Sequence, residues 1–161
     1  MRRILLSGLT AAALIAAAPT PAHAKGPTVR IVLVCSWSSR AIEITDSATA
    51  RAFGPWNNGF FDANRSVATP PAAAHPCQAF FYVNLGNGGV RMMYVAVYVP
   101  GADGQPGYIR LPAEGDPWYA LNAGTMRRAG LEGRWLYSTP AWDALMKPLI
   151  AGVGGRTSSP A

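Results

Sequence analysis

Histidine, cysteine and acidic side chains are all scarce in this 161-residue chain: two histidines, two cysteines and eight Asp or Glu. Each shortage removes a class of chemistry. His75 is the one histidine beyond residue 24. One histidine and a cysteine pair do not make a zinc set, which wants four protein ligands, or three plus water. A serine hydrolase would depend on His75 as its base, and no G-x-S-x-G elbow accompanies it. Asp62 and Asn64 offer oxygens for calcium, yet "FDANRS" lacks the density of acidic ligands that a calcium loop shows. Basic residues are spread thinly, and beyond the N-terminus the one adjacent pair is Arg127-Arg128. No basic stripe forms, so nucleic acid is not an expected partner. No metal and no cofactor is expected either.

Long apolar runs are also missing, except at the start. "MRRILLSGLTAAALIAAAPTPAHAKGP" has a positive n-region at Arg2 and Arg3, an apolar run from Ile4 to Ala18, and a small-x-small site at Ala22-His23-Ala24. The run is too short and alanine-rich for a stable membrane span. Residues 1–24 are read as a signal peptide cleaved after Ala24. The protein would then be exported to periplasm or medium, with no transmembrane segment left. Losing Arg2 and Arg3 takes the formal charge from +6 to +4. In an exported protein an even cysteine pair reads as a disulfide, here Cys35 to Cys77. The rival reading is a reactive thiol at Cys77 with His75 as its base.

What is present is a strand-rich pattern. "TVRIVLVC" (28–35) and "RAIEIT" (40–45) read as strands, and Asp46 suits the N-cap of a brief helix, "SATARAF". From Gly54 to Pro76 the pattern dissolves into a long loop. A hairpin follows, "CQAFFYVN" (77–84) and "VRMMYVAVYV" (90–99), with the tyrosine side of the second strand expected to be only partly covered. "YIRLP" (108–112) and "RWLYS" (134–138) complete the strands, and "TMRRAG" suggests a helical turn. "TPAWDALMKPLIAG" is an amphipathic helix with Trp142, Leu145, Met146 and Leu149 as its stripe. The expectation is one α+β domain, residues 25–151, with a mainly antiparallel sheet, a C-terminal helix and one short helix, followed by a disordered tail at 152–161. A β-sandwich is the alternative. The domain is expected to be a monomer.

All five Trp, six Tyr and five Phe lie beyond residue 24, many beside polar turn residues. Flat aromatics next to hydrogen-bonding groups stack on sugars or grip peptides, or else plug the rim of a small sheet. The candidate ligand surface is Trp56, Phe60, Asp62, Trp118, Tyr119 and Asn122, with Arg110 and Arg127 placed to meet anionic groups. "EGDPWYALNAG" (114–124) reads as a structural corner first, a binding edge second and a catalytic segment last. A hydrolase would need paired carboxylates, Asp62 with Glu114 or Asp116. A purely structural role, with all these residues buried or idle, is the third reading.

Taken together, "IEITD", "FGPWNNGFFD", "YVAVYVPG…GYIRLP", "GDPWYALNAGTMRR" and "LEGRWLYSTPAWDALM" resemble a group of small secreted bacterial proteins of unknown function. The resemblance spans most of residues 29–150 in the same order. The group has no assigned activity, so it transfers no catalytic residue. It implies that the cysteine pair is an added brace. It also leans towards a binding role, because the shared segments are aromatic and turn-rich. The expectation is a non-enzymatic domain that binds a ligand or protein partner of the cell envelope.

Overall fold

The computed structural model describes residues 26–67, 70, 75–86 and 89–154. Its elements run β1 (Thr28–Cys35), β2 (Ala41–Ile44), α1 (Ser47–Ala52), β3 (Phe61–Val67), β4 (Cys77–Asn84), β5 (Val90–Val99), β6 (Tyr108–Arg110), α2 (Tyr119–Met126), β7 (Trp135–Ser138) and α3 (Pro140–Gly154). All seven strands join one antiparallel sheet in the order β2-β1-β4-β5-β6-β7-β3. The fold is therefore α+β with the sheet predominating, and not a sandwich. The signal segment 1–24 lies outside the described residues. So does most of the expected tail, although α3 continues to Gly154, past its anticipated start at residue 152.

Register sets the core. Ile31, Phe81 and Tyr94 lie side by side across β1, β4 and β5; Leu33, Ala79 and Ala96 form the next row. Cys35, Cys77, Tyr98, Ile109 and Leu136 continue it across five strands. All of these side chains are buried. The tyrosine side of β5 is thus the covered side, contrary to the sequence expectation. The cover is α3, whose Trp142, Met146 and Ile150 recur at i, i+4 and i+8 on one helix face. Leu149 falls off that stripe and is exposed. Trp142 stacks on Phe81 at 6.1 Å and meets Phe53, Phe60 and Tyr98 with its edges or faces. At the start of α3, the Thr139 hydroxyl accepts from the Trp142 N–H and donates to the Gly59 carbonyl. Pro140 occupies the first helical turn, where a missing N–H costs nothing.

Cys35 and Cys77 face each other across β1 and β4 and are joined in a buried disulfide, which removes the free-thiol reading. The bond closes a separation of 42 residues, worth roughly 4 kcal/mol by chain entropy. No helix among the described residues is long and apolar enough to cross a membrane.

Two elements differ from expectation. Residues 61–67 form a strand, not a loop. "FDANRSV" shows no alternation because β3 is an edge strand with only Phe61 buried, and an edge tolerates polar and charged side chains. The segment 119–126 is a helix that begins directly after the Pro117 corner, and residues 127–132 turn instead. The fold therefore holds two short helices where one was anticipated.

Burial pushes the Tyr94 phenol up to about 12, and that of Tyr98 is raised further by burial and by its bond to the Asp143 carboxylate. Because both folded values exceed the ordinary value near 10, their stabilising contribution is full below pH 10 and falls as pH rises towards 12. Two of the six tyrosines are therefore expected to ionise only as the fold opens. Phenolate absorbance and circular dichroism followed together from pH 9 to 13 check this. Ionisation of all six before any loss of structure would refute it.

Candidate functional site

One end of the sheet, where β6 begins and β7 ends, is organised around Asp143. This carboxylate sits in the first turn of α3 and is buried. Its Oδ1 accepts from the Tyr98 hydroxyl at 2.8 Å and from the Ser138 hydroxyl at 2.6 Å, and its Oδ2 accepts from the Gly107 N–H at 2.8 Å. Gly107 is required by the close approach. A Cβ there would lie 2.6 Å from the Tyr98 ring and 2.7 Å from Oδ1 of Asp143. Three donors and the N-terminal end of a helix make this a satisfied buried carboxylate rather than a spare acid or base.

Above Asp143 opens a groove of about 730 Å³. One wall is β3, which carries a large bulge. Asp62 pairs with Tyr137 and Ser66 pairs with Leu136, so Ala63, Asn64 and Arg65 have no partners in the ladder and loop outward into the groove lining. The turn Gly104-Gln105-Pro106 also lines it, held by Lys147, whose Nζ donates to the Gln105 carbonyl. Asn58, in the left-handed region at φ 53°, and Thr139 close the rim. Bulges recur beside binding sites because they re-aim side chains that a regular strand would alternate.

Four charged residues line this groove: Asp62, Arg65, Asp143 and Lys147. Among the described residues the ion pairs are Arg30–Glu43 and Arg110–Asp116, and both lie outside it. Asp62 Oδ1 accepts from the Asn64 N–H at 3.0 Å. The Arg65 guanidinium lies 4.5 Å from the Tyr137 ring centroid, and Tyr137 in turn neighbours Tyr108 at 5.7 Å.

Of the expected ligand-surface residues, Asp62 alone lines the groove, with Asn64, weighed above as a calcium oxygen, beside it. Phe60 is fully buried in the aromatic core beneath it and offers no face to a ligand. Trp56 is spent as a tie, its Nε1–H donating to the Gly26 carbonyl at 3.1 Å. The others lie on α2 or beside it, outside the groove lining. Trp118 meets Phe80 edge-on at 5.8 Å, with half-buried Tyr119 beside it. Asn122 is buried and bonds both backbone groups of Val95, accepting from its N–H at 2.9 Å and donating to its carbonyl at 2.7 Å. Its amide stands in for a strand beyond the 97–99 pairing of β5 with β6. Arg110 pairs with Asp116 at 2.9 Å. The Ala113 N–H, followed by the Arg110 charge, holds the Asp116 carboxyl below its ordinary range. Glu114 and Arg127 are exposed, the latter at the C-terminal cap of α2. Neither Glu114 nor Asp116 lines the groove that Asp62 lines.

Asn58, Asn64, Arg65, Gln105 and Lys147 belong to the groove and were not among the expected site residues. The Asn58-Gly59 turn was visible in the sequence; the bulge, which gathers the rest, was not. No protein-family model, curated protein or solved structure matches the chain.

Replacing Asn122 with alanine leaves two buried backbone groups without partners. The expected loss is about 2–3 kcal/mol in denaturant unfolding. A change below about 0.5 kcal/mol would show that water takes over the role.

Proposed function

We propose that this chain is an exported, monomeric and non-enzymatic domain of the cell envelope, which holds a small polar ligand in the groove at the β3 bulge. The observation that carries the reading is the groove itself, lined by four charged residues that form no ion pair with one another. Charges left unpaired beside a concave surface are placed for a partner from outside. Binding is favoured over hydrolysis because Asp143 has both oxygens engaged and Asp62 shares the groove with neither Glu114 nor Asp116. Export is supported by the disulfide and by the signal-like residues 1–24, cut after Ala24. On this reading the chain belongs with the small secreted bacterial proteins that its segments resemble.

A thermal-shift screen of the disulfide-intact protein tests it, with peptidoglycan fragments, oligosaccharides, short peptides, divalent ions and anionic head groups as probes. A ligand at one hundred times its Kd adds about 2.7 kcal/mol, a shift of several degrees. The shift should shrink by about half or more in Asp62→Asn and persist in Trp118→Ala. No shift with any probe, or a shift lost in Trp118→Ala alone, would contradict the assignment.

A further inference from the structure

Resting on the groove as the binding site, we propose that its ligand is a small zwitterion, with an ammonium group received by Asp62 and a carboxylate or phosphate received by Arg65 and Lys147. Two carboxylates line the groove, but Asp143 is already satisfied by Tyr98, Ser138 and Gly107. Asp62 accepts one bond, from Asn64 to Oδ1, and its Oδ2 accepts none among the described residues. It is the open acceptor for a cation. The Arg65 guanidinium lies over the Tyr137 ring, 4.5 Å from its centroid, and makes no hydrogen bond or ion pair among the described residues, so its N–H donors are left for a partner. A guanidinium fixed in this way meets a carboxylate or phosphate in bidentate fashion.

Both groups border the same side chain. Asp62 sits opposite Tyr137 across the β3–β7 ladder, and Arg65 covers the Tyr137 ring. Arg65 belongs to the bulge that follows Asp62, and both residues line the groove, which suits a ligand carrying both charges. Lys147 also lines the groove and supplies the second cation, its Nζ donating to the Gln105 carbonyl. A ligand of single sign would cover one of these charges without compensating it, and a desolvated charge without a partner is costly. A ligand carrying both signs satisfies both ends.

Two sources offer this chemistry, a short peptide and a phosphoethanolamine head group. Isothermal titration separates them, with alanyl-alanine and O-phosphoethanolamine as probes. The controls are N-acetyl-alanyl-alanine, alanyl-alanine amide and an uncharged chito-oligosaccharide. The zwitterion of the correct source is expected to bind at least tenfold more tightly than its blocked forms. Asp62→Asn should erase the preference for the free amine, and Arg65→Gln the preference for the free acid. Both positions are solvent-accessible, so the variants keep the fold, which circular dichroism verifies. Blocked and free forms binding equally would overturn the inference. Binding of the chito-oligosaccharide alone would overturn it while leaving the groove as the site. Failure of these probes and of the whole wider panel would remove both.

Discussion

A single carboxylate, Asp143, ties α3 to the strand ends around it, two of them more than thirty residues away in sequence. Tyr98 at the end of β5, Gly107 before β6 and Ser138 at the end of β7 all donate to it, and it is itself part of α3. Burying a carboxylate costs several kcal/mol unless donors replace water, and here three do. The same contact explains why residue 107 is glycine and why α3 docks with Trp142 inward: Asp143 and Trp142 are adjacent, so one cannot be placed without the other. The joining of strand ends at this end of the sheet, helix docking and the lining of the groove at Asp143 all follow from it.

The sheet's two faces have been given different tasks. Its inner face is covered by α1 and α3 and holds the aromatic cluster around Trp142. On the outer face, α2 lies against β5 and is fastened by the Asn122 amide, while Trp118 meets Phe80. Towards β3 the outer face is left to half-buried Tyr108, Trp135 and Tyr137, with Arg65 laid over the last. The edge strand is where the chain departs most from regularity, and the departure is what lines the groove.

Elements with strong period-2 or continuous apolar patterns, such as 28–35, 77–84 and 90–99, were legible because side-chain alternation and burial coincide there. The C-terminal helix was legible from Thr139, Pro140 and the spacing of Trp142 and Met146. Edge strand β3 was not, since its side chains face water and its ladder is interrupted by three unpaired residues. The site followed the same division. Asp62, named in the sequence as a carboxylate candidate, lies on the groove lining. Arg65, Gln105 and Lys147 come from three separate segments and meet only through the topology. Asn122, expected on a ligand surface, bonds the Val95 backbone instead. Phe60 and Trp56 show that an aromatic near polar residues is more often holding the fold than waiting for a sugar.

The organising role of Asp143 is tested most directly by a double-mutant cycle of Asp143→Asn with Ser138→Ala, read by denaturant unfolding. If one carboxylate holds these segments together, Asp143→Asn alone costs about 3 kcal/mol. The double variant then loses less than the sum of the single changes, with a coupling of about 1 kcal/mol or more. An Asp143→Asn protein within about 0.5 kcal/mol of the parent, or strictly additive losses, would contradict the account.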